Sequence, residues 1–336
     1  MSEAPAARPW LAPLVPLYRV GLAWREWRLR TGLEPVRRLR WPVVSIGNLT
    51  TGGAGKTPLT IALAQALTRR GFSVDVLSRG YGRSGRGAAR VDPEGTAEEF
   101  GDEPLEIARA AHVPVYVAAQ RYEAGLVAEG NGAYQAARVH LLDDGFQHRQ
   151  LARTADILIL SREDWQDRLL PAGNLREPLR AARRAGCVAI PGEDRDFETV
   201  LRNWGWEGPV WRLHRRMEVP PIDGPAVAFC GIARPEQFFD GLERAGLRLA
   251  ANIAFSDHHR YTHSDLDRLA RTARNSNAAA FVTTEKDRTR MGRAAAELAA
   301  LCPLKTAGLR IEIEDEEAAI KWVMGRLSRH LPEPRA

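Results

Sequence analysis

The chain has 336 residues, 44% hydrophobic and 27% charged, an ordinary globular composition and enough length for two domains with separate cores. Cys187, Cys230 and Cys302 are far apart, without a C-x-x-C pair. This excludes a disulfide framework and a zinc site, and with no secretory leader a reducing, cytoplasmic setting is expected. No apolar run approaches the ~18 residues of a membrane-spanning helix, so the expectation is a soluble or peripheral protein.

The net charge of +6 is unevenly placed. Residues 1–40 hold eight arginines against three glutamates, a balance of +5 that leaves the rest of the chain at +1. No nucleic-acid-binding signature accompanies this charge, so no nucleic-acid partner is expected. The basic segment is instead rich in aromatic and aliphatic bulk. Leu17, Val20, Trp24 and Trp27 follow 3-4-3 spacing on one face of a helix starting near Pro16. Such a face suits an anionic membrane surface, or alternatively packs on the protein's own core.

Val43 to Ile46 reads as a buried strand that runs into Gly47-Asn48-Leu49-Thr50-Thr51-Gly52-Gly53-Ala54-Gly55-Lys56-Thr57-Pro58 and then a helix. Clustered glycines let several backbone N–H groups converge on one anion, and the helix adds its positive end. Lys56 can reach the outer phosphates of a nucleotide, and the Thr57 hydroxyl suits magnesium. The usual pattern is G-x-x-x-x-G-K-[ST]; here Thr50 stands in the place of its first glycine. Pro58 is acceptable in a first helical turn, where its missing N–H has no partner.

Further along come a strand over 72–78 with the loop Arg79-Gly80-Tyr81-Gly82-Arg83, and a helix opened by Gly101-Asp102-Glu103-Pro104 with Asp102 as its cap. A strand over 114–118 is followed by Arg121. The apolar strand over 138–142 ends in Asp143-Asp144, the position from which a carboxylate meets the metal of a phosphate-loop site. Two adjacent aspartates suggest one near magnesium and one as base or structural acceptor, an assignment the residues leave open. Apolar strands over 155–160 and 186–190 flank the polar Leu169–Pro178 stretch. Together these predict a mostly parallel α/β sheet covered on both faces.

Past Trp204 the pattern changes. Val210–Arg215 and Leu309–Ile313 alternate like exposed strands and are expected to pair as a two-stranded β-linker (208–219 and 304–314). They bracket a smaller α/β unit, 220–303, while residues 1–207 plus 315–336 form the larger phosphate-loop domain. Asp257-His258-His259 and Thr284-Glu285-Lys286-Asp287 sit at strand ends of the smaller unit. Lys286 is one of four lysines beside forty-four arginines.

These motifs, with Leu142-Asp143-Asp144-Gly145-Phe146-Gln147-His148, Pro171-Ala172-Gly173 and Phe229-Cys230-Gly231-Ile232, resemble the tetraacyldisaccharide 4′-kinase (LpxK) family in one collinear order. Thr50 is that family's own loop variant. The resemblance implies a P-loop α/β/α sandwich with a second α/β/α domain, and transfer of the ATP γ-phosphate to the 4′-hydroxyl of tetraacyldisaccharide 1-phosphate in lipid A biosynthesis. It implies ATP and Mg2+, and a peripheral position on the cytoplasmic face of a Gram-negative inner membrane, without an obligate protein partner. Carried over by motif position, Asp102 and His258 form the base system, with Lys56 and Asp144 also catalytic. Thr51, Gly52, Gly53, Ala54, Gly55, Lys56, Thr57, Pro58 and Lys286 hold the nucleotide. Asn48, Arg79, Tyr81, Arg121, Gln147 and Arg176 line the acceptor side, and Thr57, Asp143 and Glu177 hold magnesium. Two rival readings are a metallochaperone-type P-loop GTPase, although Lys286 falls one place too late for [NT]-K-x-D, and a non-catalytic membrane adaptor.

Overall fold

A computed structural model describes residues 8–52, 55–130, 137–232, 235–257 and 259–329. After a 3-10 turn (Pro9–Leu14) come α1 (Val15–Arg30), β1 (Val43–Asn48), α2 (Lys56–Arg69), β2 (Ser73–Ser78), β3 (Ala89–Arg90), α3 (Ala97–Phe100), α4 (Asp102–Ala111), β4 (Val115–Val117), α5 (Arg121–Gly130) and β5 (Arg138–Leu142). There follow β6 (Ala155–Ile159), α6 (Arg162–Gln166), β7 (Cys187–Pro191), α7 (Arg195–Asn203), β8 (Val210–Glu218), β9 (Ala226–Cys230) and α8 (Pro235–Arg244). The chain continues through β10 (Leu249–Ala254), α9 (His263–Asn275), β11 (Ala280–Thr284), α10 (Glu285–Met291), α11 (Arg293–Leu301), β12 (Leu304–Ile313) and α12 (Glu316–Leu327).

The twelve strands are ordered β10-β9-β11-β12-β8-β7-β6-β1-β5-β2-β4-β3. All neighbours are parallel except β8–β12 and β3–β4. This is the mostly parallel α/β architecture that the strand pattern predicts. β1 is buried at every position because helices cover both faces of the sheet. Leu59, Leu63 and Leu67 form the inner stripe of α2. Each contributes about 2 kcal/mol by leaving water.

Strand register decides where the two halves of the sheet meet. Val210 to Leu213 of β8 pair with β7, and Leu213 to Glu218 continue past the carboxyl end of β7 to pair with Ile313 to Gly308. Leu304 to Ala307 of β12 pair with β11 instead. β12 therefore starts earlier than the exposed alternation suggests, because its first residues belong to the covered part of the second half. Six paired positions separate the two halves, about 20 Å of strand. Since β11 runs opposite to β8, the carboxyl edges of the two halves face each other across this gap.

Two local expectations need correction or a decision. Asp102 is the first residue of α4, and the cap position belongs to Gly101 at φ +91°. A Cβ there would lie 2.9 Å from Tyr81 O, so the close approach requires glycine. On α1, Val15, Tyr18 and Leu22 pack on the core. The face carrying Leu17, Val20, Trp24 and Trp27 does not: these are 71%, 65%, 58% and 51% exposed.

Candidate active site

β1 lies at the reversal of strand order, with β5 and β2 on one side and β6 and β7 on the other. Loops leaving the carboxyl ends of strands at such a point diverge and open a crevice. Here they are residues 49–52, 79–82 and 143–148. A cleft of about 1210 Å³ lies against them.

Lys56 is the first residue of α2, and Gly55 before it has φ +87°, which an L side chain rarely adopts. Lys56 Nζ donates to Asn48 Oδ1 (3.2 Å) and Gly52 O (3.4 Å) and lies 3.7 Å from Asp144 Oδ1. Arg176 completes the cluster. Its Nη1 and Nη2 grip the two Asp144 oxygens at 3.2 and 2.9 Å, Nη2 reaches Asn48 Oδ1 at 2.6 Å, and Nε donates to Thr50 O at 3.1 Å. Thr50 is buried: its hydroxyl accepts from Asn48 Nδ2 (3.1 Å) and donates to Asp164 Oδ1 (3.0 Å). Threonine at this loop position is a structural tie. Sequence reasoning missed Asp164, whose one local signal is its capping box with Ser161 at the start of α6.

Asp143 and Asp144 are adjacent but sit in opposite electrostatic surroundings. Asp144 adopts φ +47°, a left-handed conformation that aspartate tolerates better than most residues. Burial opposes its ionisation, yet Lys56, Arg176 and Arg121 hold its carboxyl down to about 2. Desolvation, Glu103 and Asp144 push Asp143 up to about 7. Its oxygens accept from Thr60 Oγ1 (3.3 Å) and Ser78 Oγ (3.4 Å), two supports without a sequence motif.

The cleft brings together Thr51, Gly52, Gly55, Lys56, Thr57, Pro58, Arg79, Tyr81, Asp102, Asp143, Asp144, Arg176 and Lys286. Lys286 Nζ lies 3.2 Å from Glu103 Oε1 and 3.8 Å from Glu106 Oε2. Burial alone would weaken its charge, but Glu106 and Glu103 raise it above the ordinary lysine range. Asn48, Arg121, Gln147 and Glu177 stand outside the lining. Gln147 Nε2 donates to Asn48 O at 2.8 Å, bracing the wall. Arg121 is buried, its Nη1 donates to Ala119 O at 3.1 Å, and burial brings its guanidinium down to about 10. Glu177 pairs with Arg184 Nη2 at 2.7 Å, while its neighbour Arg176 takes the cleft side. Gly53, Ala54 and His258 lie outside the described residues. His259 serves locally: it stacks on Phe255 (4.7 Å between centroids), with Nε2 3.0 Å from Asp265 Oδ2.

Among the described residues no three His, Cys, Asp or Glu side chains form a metal cage. The available donors, the Asp143 carboxylate and the Thr57 hydroxyl, are hard oxygens. They fit magnesium, which takes one or two protein oxygens together with substrate phosphates.

The family described as LpxK, tetraacyldisaccharide-1-P 4'-kinase, matches residues 7–328. A tetraacyldisaccharide 4'-kinase of Koribacter versatilis is 41% identical over 328 residues, covering 94% of this chain and 98% of the relative. That of Parvibaculum lavamentivorans is 39% identical, with 98% and 92% covered. The crystal structure of LpxK from Aquifex aeolicus in complex with ATP superposes with a TM-score of 0.76 at 30% identity, covering 96% of this chain and 100% of that one. On the strength of this match, which spans nearly the whole chain, the chain belongs to the tetraacyldisaccharide-1-P 4'-kinase family.

Proposed function

We propose that the cleft transfers the γ-phosphate of ATP to the 4′-hydroxyl of tetraacyldisaccharide 1-phosphate, a step of lipid A biosynthesis. One observation carries this reading: Lys56, Arg176 and Asp144 meet at the carboxyl ends of β1 and β5, with Asp102 on the wall of the same cleft.

The loop Thr51–Pro58 and the start of α2 cradle the phosphates. On ATP binding, Lys56 exchanges Asn48 and Asp144 for phosphate oxygens, and Arg176 keeps Asp144 in place. Thr57 and Asp143 would hold magnesium, which neutralises charge on the β- and γ-phosphates when bound. Asp102, with His258, takes the proton of the attacking hydroxyl. Arg79 and Tyr81 offer donors to the acceptor lipid, Asn48, Gln147 and the buried Arg121 support that side from behind the lining, and Lys286 meets the nucleotide.

The units 1–207 with 315–336 and 220–303 would move against each other about 208–219 and 304–314, closing the facing carboxyl edges and excluding water. No helix among the described residues is long and apolar enough to cross a membrane. The exposed face of α1 docks on the anionic cytoplasmic surface of the inner membrane, where the acyl chains of the lipid remain.

The test uses γ-labelled ATP, magnesium and tetraacyldisaccharide 1-phosphate in mixed micelles. Label is expected in a bisphosphorylated lipid and is lost in Lys56→Ala. Folded, ATP-binding protein that labels no lipid would refute the reading.

A further inference from the structure

One wall of the cleft is a seam between two helices from opposite halves of the sheet. On α10, Lys286, Thr289 and Arg290 fall at i, i+3 and i+4, a single face. They meet Glu103, Arg109 and Asp102 of α4: besides the Lys286 pair, Arg109 Nη1 donates to Thr289 Oγ1 at 2.9 Å, and Arg290 Nε donates to Asp102 Oδ2 at 2.6 Å. The Arg290 side chain is 8% exposed. Its Nη1 also donates to Gly231 O at 2.7 Å and lies 3.3 Å from Asp287 Oδ1. Asp287 is fully buried and is fixed in turn, accepting from Gly231 N (3.1 Å) and Thr284 Oγ1 (2.7 Å) on Oδ2. Arg290 is thus anchored at the carboxyl ends of β9 and β11 while gripping a carboxylate of the other half.

We propose that Arg290 is a positioning residue for phosphoryl transfer: it orients the Asp102 carboxylate and makes that orientation depend on the seating of the second half of the sheet on the first. The inference rests on the reading of Asp102 as part of the base system. A carboxylate on the first residue of a helix has several rotamers open to it, and a charge-assisted bond from a guanidinium already held by two other acceptors selects one. Misplacing a reacting group by 1 Å is enough to cost two orders of magnitude in rate. Lysine keeps the charge at this position but lacks the planar fork that spans Asp102, Gly231 and Asp287 together.

The experiment measures kcat, KM for ATP and thermal stability of the full chain in mixed micelles for Arg290→Lys, Arg290→Ala, Asp102→Asn and the double variant Asp102→Asn/Arg290→Lys. Arg290→Lys is expected to lower kcat on the order of 100-fold and to leave KM for ATP within about twofold. Arg290→Ala is expected to lose at least as much and to be partly restored by added guanidinium. The double variant is expected to be no slower than Asp102→Asn, because Arg290 acts through that carboxylate. Wild-type kcat in Arg290→Lys, or losses that multiply in the double variant, would overturn the proposal. So would a fall in kcat that merely tracks lost thermal stability. Where Arg290→Ala fails to fold, the charge-retaining Arg290→Lys decides the same question. An Asp102→Asn variant with normal kcat would refute the base reading itself, whatever Arg290 does.

Discussion

Lys56 and Arg176 converge on one carboxylate, and Asp144 keeps its charge because both cations stand within 4 Å of it. That arrangement holds Lys56 in place before any phosphate arrives. If Lys56 meets the phosphates as proposed, Lys56→Ala should lower kcat/KM by on the order of 100- to 1,000-fold, with the melting temperature little changed. Steady-state kinetics beside a thermal melt checks both halves of that statement. Gly101 sets the entry to α4 and therefore the position of Asp102. Gly101→Ala would place a Cβ 2.9 Å from Tyr81 O at a φ of +91° and should cost about 1–3 kcal/mol in a denaturant titration.

At the scale of elements, β2, β5 and α5 are tied by a buried charge network that the chemistry at the cleft does not use. Arg138 Nε donates to Asp75 Oδ2 at 2.6 Å, and His140 lies 3.4 Å from Asp75 and 3.5 Å from Glu129. Burial works against the imidazolium, but Asp75 and Glu129 raise His140 above 6.5. Burial likewise opposes the carboxylates, while His140 and Arg138 hold Asp75 below 3.8, and His140 and the Trp41 N–H hold Glu129 below 4.5. A raised histidine contributes stability that is complete below its unfolded value and fades as pH rises through its folded one. The lowered carboxylates contribute above their unfolded values and fade as pH falls through their folded ones. The network is therefore strongest between about pH 4.5 and 6.5, and the stability difference between wild type and His140→Gln should shrink as pH is raised from there. Urea titrations across pH measure it, and a difference that grows above pH 6.5 would contradict the assignment. The exposed face of α1 makes a separate prediction. Val20→Glu with Trp24→Glu should leave stability within about 0.5 kcal/mol, since both side chains face solvent. It should weaken sedimentation with anionic vesicles, and unchanged vesicle binding would detach α1 from membrane docking.

Across the whole molecule, β8 and β12 run through both halves of one sheet, so a ligand in the gap is sensed by both. ATP with magnesium at 100 times its Kd should stabilise the fold by about 2.7 kcal/mol, read as a rise in melting temperature that Lys56→Ala reduces. Much of this architecture was legible beforehand. The buried strands, the turn from β1 into α2, the carboxylates ending β5 and the pairing of the segments near 213 and 311 all depend on periodicity or turn chemistry within a few residues. The rest was not, because its partners are remote in the chain. Asp164 lies 114 residues from Thr50 and Arg290 lies 188 residues from Asp102. Glu177 shows the same limit at short range: its motif neighbour Arg176 enters the cleft, and nothing local says that the glutamate will pair with Arg184 instead.

The sequence by itself determined the α/β pattern, the glycine-rich turn between β1 and α2, and the family, since each is written in local spacing that the backbone must obey. Tertiary structure alone decided that two carboxyl edges face one another, and which charges meet in the gap between them. Hydrogen bonds and ion pairs form between whichever groups the strand register carries within about 3 Å, and register is settled by the packing of the whole sheet.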